Sequence, residues 1–370
     1  MWVTETIENL CEIEYGTRVV RKREQGTIYP VYGGGGETFR IDRKNRTSRV
    51  VIARFGMSEG CTRYVDGDFF LNDSGLTLSP KGDELSQDFL NKIILSLNDS
   101  IYSIGRGTAQ KNLNMDAFKK LIISYPPVAE QERIVAKLDA AFAEIDKVVA
   151  VTTKNIETIE FLFQKSLDKI FRNLSLKFTE LDEACSIIGG GTPSKKNKSF
   201  YVGKVPWATV RDMKSDYISN TEFKITNDAI KKSSTNIIPS GNVVIATRVG
   251  LGKICIVKDD TAINQDLKGI IPKNTELLDT DFLFFWFKSI SKKIINAGTG
   301  ATVQGVKLPF IKSLKIPDID ITSQKKLTSK AKFISEQSEL LARIHHMKLN
   351  DLANLKAAIL KQELQSSEAA

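Results

Sequence analysis

The chain has 370 residues, a formal net charge of +9 and 41% hydrophobic residues, which fits a globular protein of two or three domains and admits a polyanionic partner. Its 4 cysteines, Cys11, Cys61, Cys185 and Cys255, form no C-x-x-C pair and no disulfide framework, so they are read as reduced thiols of a cytoplasmic protein. Its 2 histidines, His345 and His346, are adjacent and point about 100° apart on a helix, which argues against a histidine zinc site and a Ser-His-Asp triad.

The N-terminus, MWVTETIENL, has no basic stretch followed by an apolar core, so no signal peptide is expected. Residues 1–128 read as a mixed, strand-rich globular domain, with a strand over 49–55 and a helix over 85–97 between Gly and Asn/Asp turn signals. Two basic clusters, Arg18, Arg21, Lys22 and Arg23, then Arg40, Arg43, Lys44, Arg46 and Arg49, flank the Gly run 33–36, with Tyr29 and Tyr32 close by. A Gly-Arg-Gly-Thr turn at 105–108 precedes Gln110 and Lys111.

Pro126-Pro127 marks the next boundary, because proline is accepted at or before a helix start. Over 129–173 Leu138, Ile145, Thr152 and Ile159 repeat every seven residues, as do Phe142, Val149, Ile156, Phe163 and Ile170. The two series form an a/d seam, which needs a partner helix to bury it. About 45 residues would span roughly 65 Å.

Residues 174–321 read as a second globular domain of the same kind, with strands over 242–247 and 253–257 and a helix over 281–295. Its most apolar run, 282–287, is far too short to span a bilayer, so no membrane partner is expected. Residues 322–370 read as a second long helix. One series there is Leu327, Ile334, Leu341 and Leu355, interrupted by Lys348. The other is Ala331, Ser338, His345, Leu352 and Ile359. The two helices are expected to pair antiparallel, with Lys348, His345 and Thr152 fixing register or meeting other subunits. Two separate amphipathic helices, each packed on its own domain, are the alternative.

The domains repeat each other. Gly16-Thr17 matches Gly191-Thr192, Tyr29-Pro30-Val31-Tyr32 matches Lys204-Val205-Pro206-Trp207, and Arg54 matches Arg248. The turn at 105–108 matches 298–301, and Gln131 matches Gln324. The second copy is longer, mostly between Thr192 and Gly250. Charge is unequal: +1 over 1–128, −1 over 129–173, +6 over 174–321 and +3 over 322–370.

No catalytic constellation stands out. Lys195 and Gly252-Lys253 lack the Ser or Thr of a P-loop, and no G-x-G-x-x-G opens a helix. Tyr125 interrupts an amino-methyltransferase-like Ser-Pro-Pro string, and the carboxylates and lysines near Pro317 lack nuclease spacing. Basic residues beside Gly loops and aromatics suit nucleic acid instead, because Lys and Arg neutralise phosphates and polar side chains read base edges. A solvated loop is the alternative at any single residue. The DNA-contact candidates are Arg18, Arg21, Lys22, Arg23, Tyr32, Gly34, Arg43, Arg54, Arg106, Gln110 and Lys111 in the first copy. In the second they are Lys195, Lys196, Trp207, Thr209, Arg211, Thr247, Arg248, Gln304 and Lys307.

PPVAEQERIVAKLDAAFAEID from Pro126 to Asp146 resembles the specificity subunit of type I restriction–modification systems. YPVYGGGG, IARFG and GRGTAQKNLN, then GGGTPSK, VPWATVRDM, IATRVGLGK and INQDLKGI, resemble pieces of that family's target-recognition domains. The resemblance implies an α/β fold in which two globular target-recognition domains are separated by two long helices forming an antiparallel coiled coil. It implies that each domain reads one half of a split DNA target and that the helices set the gap. The same helices, through Leu138, Phe142, Ile145, Val149, Ile156, Ile159, Phe163, Ile334, Leu341, Leu352, Leu355 and Ile359, would dock two modification subunits, and restriction subunits would join them. S-adenosylmethionine, ATP and Mg would bind those partners, and this chain would hold no cofactor or metal. A coiled-coil protein–protein scaffold without sequence-specific DNA binding is the alternative.

Overall fold

The computed structural model describes residues 2–24, 26–108, 110–172, 174, 177–300 and 305–365. The chain divides into two compact units, Met1–Thr153 with His346–Ala370, and Lys154–His345. Each unit holds one globular part and a segment of each long helix.

The first unit is built on a six-stranded sheet, ordered Cys11–Tyr15, Gly75–Pro80, Arg46–Ala53, Thr62–Leu71, Tyr29–Gly33, Gly36–Ile41. Its pairings are antiparallel except that between Thr62–Leu71 and Tyr29–Gly33. The strand Arg46–Ala53 is covered on both faces. Val50 and Ile52 pack under the helix Gln87–Ser96, while Val51 joins Val65, Phe69 and Leu71. Side chains alternate along a strand, so a continuous apolar run feeds two cores.

The second unit repeats this scheme. A five-stranded sheet runs Cys185–Gly189, Leu267–Pro272, Val243–Ala246, Ile254–Val257, Tyr217–Ile218. Val243 and Ile245 pack with the helix Thr280–Ser289, while Val244 and Ala246 face the opposite core. A four-stranded sheet holds Phe223–Ile225, Val205–Ala208, Thr261–Ile263 and Asn236–Ile238. The helix Asn227–Lys231 and the strand Asn236–Ile238 lie in the stretch where the second copy is longer.

The long helices are Val128–Phe171 and Ile321–Gln365. Their starts differ in chemistry. The Pro127 carbonyl accepts from Glu130 N and Gln131 N at the first. At the second, Asp320 accepts from the hydroxyl and backbone N–H of Ser323, which holds its carboxyl below the usual range. An aspartate cap thus replaces the second proline.

In the first unit Ile134, Leu138, Phe142 and Ile145 are buried with Leu360, against Leu352, Ile359 and Leu364. Lys137 pairs with Glu363 at 2.7 Å and Lys356 with Asp146 at 2.8 Å, so the two helices run antiparallel there. In the second unit Leu167, Phe163 and Ile170 share a core with Leu327 and Ala331. The first helix follows its expected seam. The second departs from it: Leu341 and Leu355 are each 48% exposed, and Lys348 is exposed. Gln324, Thr328 and Ser335 are buried instead. The Ala331 series is kept, but its companion lies one residue further on, among small and polar side chains.

Candidate nucleic-acid interface

Both domains use one device to expose a loop. Gly16 crosses so close to the strand end that a Cβ there would sit 2.0 Å from the Asn72 carbonyl oxygen. A Cβ on Gly190 would sit 2.2 Å from that of Asn264. Only glycine allows this approach. The following residues dock alike: Thr17 N donates to Leu71 O at 2.9 Å, and Gly191 N to Ile263 O at 3.0 Å. Each asparagine then turns the chain by accepting from the N–H two residues on, Ser74 at 3.4 Å and Asp266 at 3.2 Å. Gly16 and Gly190 are therefore equivalent crossings, and Asn72-Asp73-Ser74 and Asn264-Gln265-Asp266 are equivalent exits.

These bonds correct the matching of the copies. Gly16 corresponds to Gly190, not Gly191. Arg54 corresponds to Thr247, since Leu113 N donates to Arg54 O and Val306 N to Thr247 O, both at 2.9 Å. Val31, paired in parallel with Phe70, corresponds to Trp207, paired in parallel with Ala262. A one-residue shift reverses the face of a strand side chain. Trp207 is accordingly only 4% exposed and its indole N–H donates to Gly191 O, so it is a wall and not a free contact. Thr247 is also 4% exposed, with its hydroxyl on Asp266 O, and is likewise removed from the contact surface.

In the first domain four of the five residues of the second basic cluster pair with carboxylates, while Arg49 donates to the backbone oxygens of Thr47 and Ser48. Arg40 pairs with Glu37, Arg43 with Glu24, Lys44 with Asp68 and Arg46 with Glu14. The Lys44 bond holds the Asp68 carboxyl below its usual range. Arg18, Arg21, Lys22 and Arg23 are exposed, and among the described residues they have no ion-pair partner. Arg54 is fixed: its Nη1 donates to Asp73 O at 2.8 Å and its guanidinium lies 4.6 Å over Tyr15 and 4.9 Å over Phe55. Tyr32 is half-buried edge-on to Phe69, and Gly34 N donates to Ser74 Oγ. Arg106 and Gln110 are exposed, and Lys111 rests over Tyr102 at 3.7 Å.

The second domain places four of its candidates, Lys195, Trp207, Thr209 and Arg211, around a pocket of about 510 Å³. Lys195, Tyr201, Trp207, Thr209, Arg211 and Phe223 line it, with Thr192, Val249 and the turn 264–266. Thr209 and Asp212 close a capping box that carries Arg211 into solvent, 3.7 Å from Glu222. Arg248 Nη1 lies 3.5 Å from Asp266. Burial pushes the neighbouring Lys268 ammonium below its ordinary range, Asp266 opposing and Arg248 adding. Lys195, Lys196 and Lys198 are exposed without an ion-pair partner among the described residues, and Lys307 is exposed as well. Gln304 lies outside the described residues. Sequence reasoning missed Thr192, Val249, Asn264, Gln265 and Asp266. An Asn directly after a short β-rich run was the available turn signal.

A family model described as the type I restriction modification DNA specificity domain matches residues 1–160 and 174–359. The specificity subunit of the type I restriction enzyme EcoR124I/EcoR124II from Escherichia coli is 26% identical over 313 residues, 79% of this chain and 76% of that protein. The MjaIX specificity subunit from Methanocaldococcus jannaschii is 27% identical over 191 residues, 49% of this chain and 44% of that one. A solved structure described as showing complex assembly and conformational transition of the type I R-M system is 17% identical. It shares the fold, with a TM-score of 0.68 over 98% of this chain and 97% of that one.

Proposed function

We propose, for a chain that belongs to the type I restriction–modification DNA specificity family, that it reads a split, asymmetric DNA target with one half-site per globular domain. One observation carries the reading furthest. The two domains share a backbone scaffold down to the Gly16/Gly190 crossing and the Asn72/Asn264 turn, yet expose different side chains beyond it. A common scaffold with unlike surfaces is what two unlike half-sites require.

The antiparallel helix segments support a spacer that sets the gap between half-sites and docks two modification subunits. Restriction subunits would supply translocation and cleavage. Chemistry would reside in those partners, which would carry S-adenosylmethionine, ATP and Mg in the cytoplasm. The chain's own part is binding: Lys and Arg position the duplex on its phosphates, and polar side chains discriminate bases. The description of the family favours this over a scaffold that reads no DNA.

Methylome sequencing of cells with and without this chain tests the proposal. A split adenine-methylation motif should appear only with the chain. Deleting one heptad from each long helix should change the gap and leave both half-sites intact. An unchanged gap would remove the spacer role, and no chain-dependent motif would remove the recognition role.

A further inference from the structure

The turn 264–266 holds one side chain in a state that the two domains do not share. Gln265 is exposed and stands at the mouth of the pocket walled by Trp207 and Phe223. Its Nε2 faces Asp266 Oδ2 at 3.4 Å, and its Oε1 faces the Thr192 hydroxyl. A carboxylate only accepts, so the amide nitrogen must be the atom turned to Asp266, and the Thr192 hydroxyl then donates to Oε1. Asp266 is held in turn by Asn264 Nδ2 at 3.1 Å and by Arg248. Asn264 itself is 6% exposed. The glutamine is therefore oriented before any partner arrives.

Two bonding positions on that amide stay open: the second N–H of Nε2 and the second lone pair of Oε1. A donor and an acceptor side by side match the N7 acceptor and N6 donor of adenine in the major groove. Val249, 53% exposed at the same rim, offers an apolar surface suited to a thymine methyl group. Lys195 and Arg211 flank the mouth, where they can hold phosphates. In the first domain the equivalent position is Asp73, whose carboxylate accepts only and cannot make this pair.

We infer that Gln265 is a base-reading residue of the second domain, specific for an adenine. The inference rests on the DNA-recognition reading above. Its test uses the full chain assembled with its modification subunits, and duplexes carrying the motif that methylome sequencing identifies. Replacing the adenine read by Gln265 with guanine should cost the wild type about 5- to 150-fold in affinity. In Gln265→Ala that change, and 7-deazaadenine at the same position, should have little effect. Gln265→Met keeps the length, loses donor and acceptor and adds no charge beside Asp266, so it should lose the adenine preference while the melting temperature stays unchanged. The other half-site and the salt dependence of binding should be unaffected in both variants. Full discrimination by both variants at every pair of that half-site, or relaxation at a base other than adenine, overturns the inference and leaves DNA recognition standing. A wild-type complex with no sequence preference overturns both.

Discussion

At the residue scale, burial decides what the cysteines can do. Cys11, Cys185 and Cys255 lie in strand cores, and burial pushes each thiol up from 9.0 to about 12. Cys61 is also raised, by burial first. Thiols kept protonated are poor nucleophiles. In the native protein at pH 8 none of the 4 should react quickly with a disulfide-exchange reagent, and all should react after denaturation. Below pH 9 the thiols are neutral in both states. Between 9 and about 12 the unfolded chain releases protons that the folded chain keeps, so stability falls as pH rises through that window. Urea titrations at pH 8 and pH 10 check the sign. The arginines divide differently. Arg54 is anchored on Asp73 O and two rings, whereas the exposed Arg248 guanidinium pairs with Asp266. Arg248→Ala should weaken recognition of one half-site only, read as relaxed base preference in that half of the methylated motif, and equal relaxation at both halves would count against its place in the second domain's reading surface.

At the element scale, a buried glutamine helps tie each long helix to its domain. Gln131 accepts from Ser86 N and donates to Glu84 O and Pro126 O. Gln324 accepts from Asp279 N and donates to Leu277 O and Ile319 O. Both are buried, at 0% and 2% exposure. Alanine at either position should cost about 1–3 kcal/mol in urea unfolding, because buried backbone groups lose their partners. The match of Gln131 to Gln324 was legible in the sequence. The seam of the second helix was only half legible. Leu327, Ile334, Leu341 and Leu355 keep a multiple of the seven-residue spacing, so periodicity selects them, but Leu341 and Leu355 are exposed while Thr328, Ala331 and Ser335 are buried. A pattern of apolar residues cannot record the burial of small and polar side chains. Leu138→Ala should cost about 2–5 kcal/mol, as a fully buried leucine does. Leu341→Ala should stay within about 0.5 kcal/mol, as surface substitutions do. Equal losses would restore the leucine seam.

At the scale of the molecule, the +9 charge resolves into unequal surfaces. The first domain pairs Arg40, Arg43, Lys44 and Arg46 with its own carboxylates. The second leaves Lys195, Lys196 and Lys198 in solvent beside the pocket mouth. The first also keeps Arg18, Arg21, Lys22 and Arg23 in solvent, so non-specific attraction for DNA should come from both domains, more from the second, which carries +6 against +1. Replacing the three lysines with alanine should weaken binding to all sequences alike and lower the salt slope by about 0.9 for each phosphate that is no longer neutralised. A change in sequence preference would show that these lysines read bases.

Sequence alone determined the plan: one unit used twice and two long helices. Those features rest on composition and spacing, which folding does not alter. Tertiary structure decided the register. Gly16 against Asn72 and Gly190 against Asn264 fix which residues correspond, and the correspondence moves by one residue from the match that the sequence suggests. Alternation in a strand turns that single step into a change of face, placing Trp207 inside, while Gln265 is exposed in the turn between two strands. Which polar side chains meet the base edges is set by bonds between distant segments, such as Thr192 and Gln265, 73 residues apart, and no local pattern carries that information.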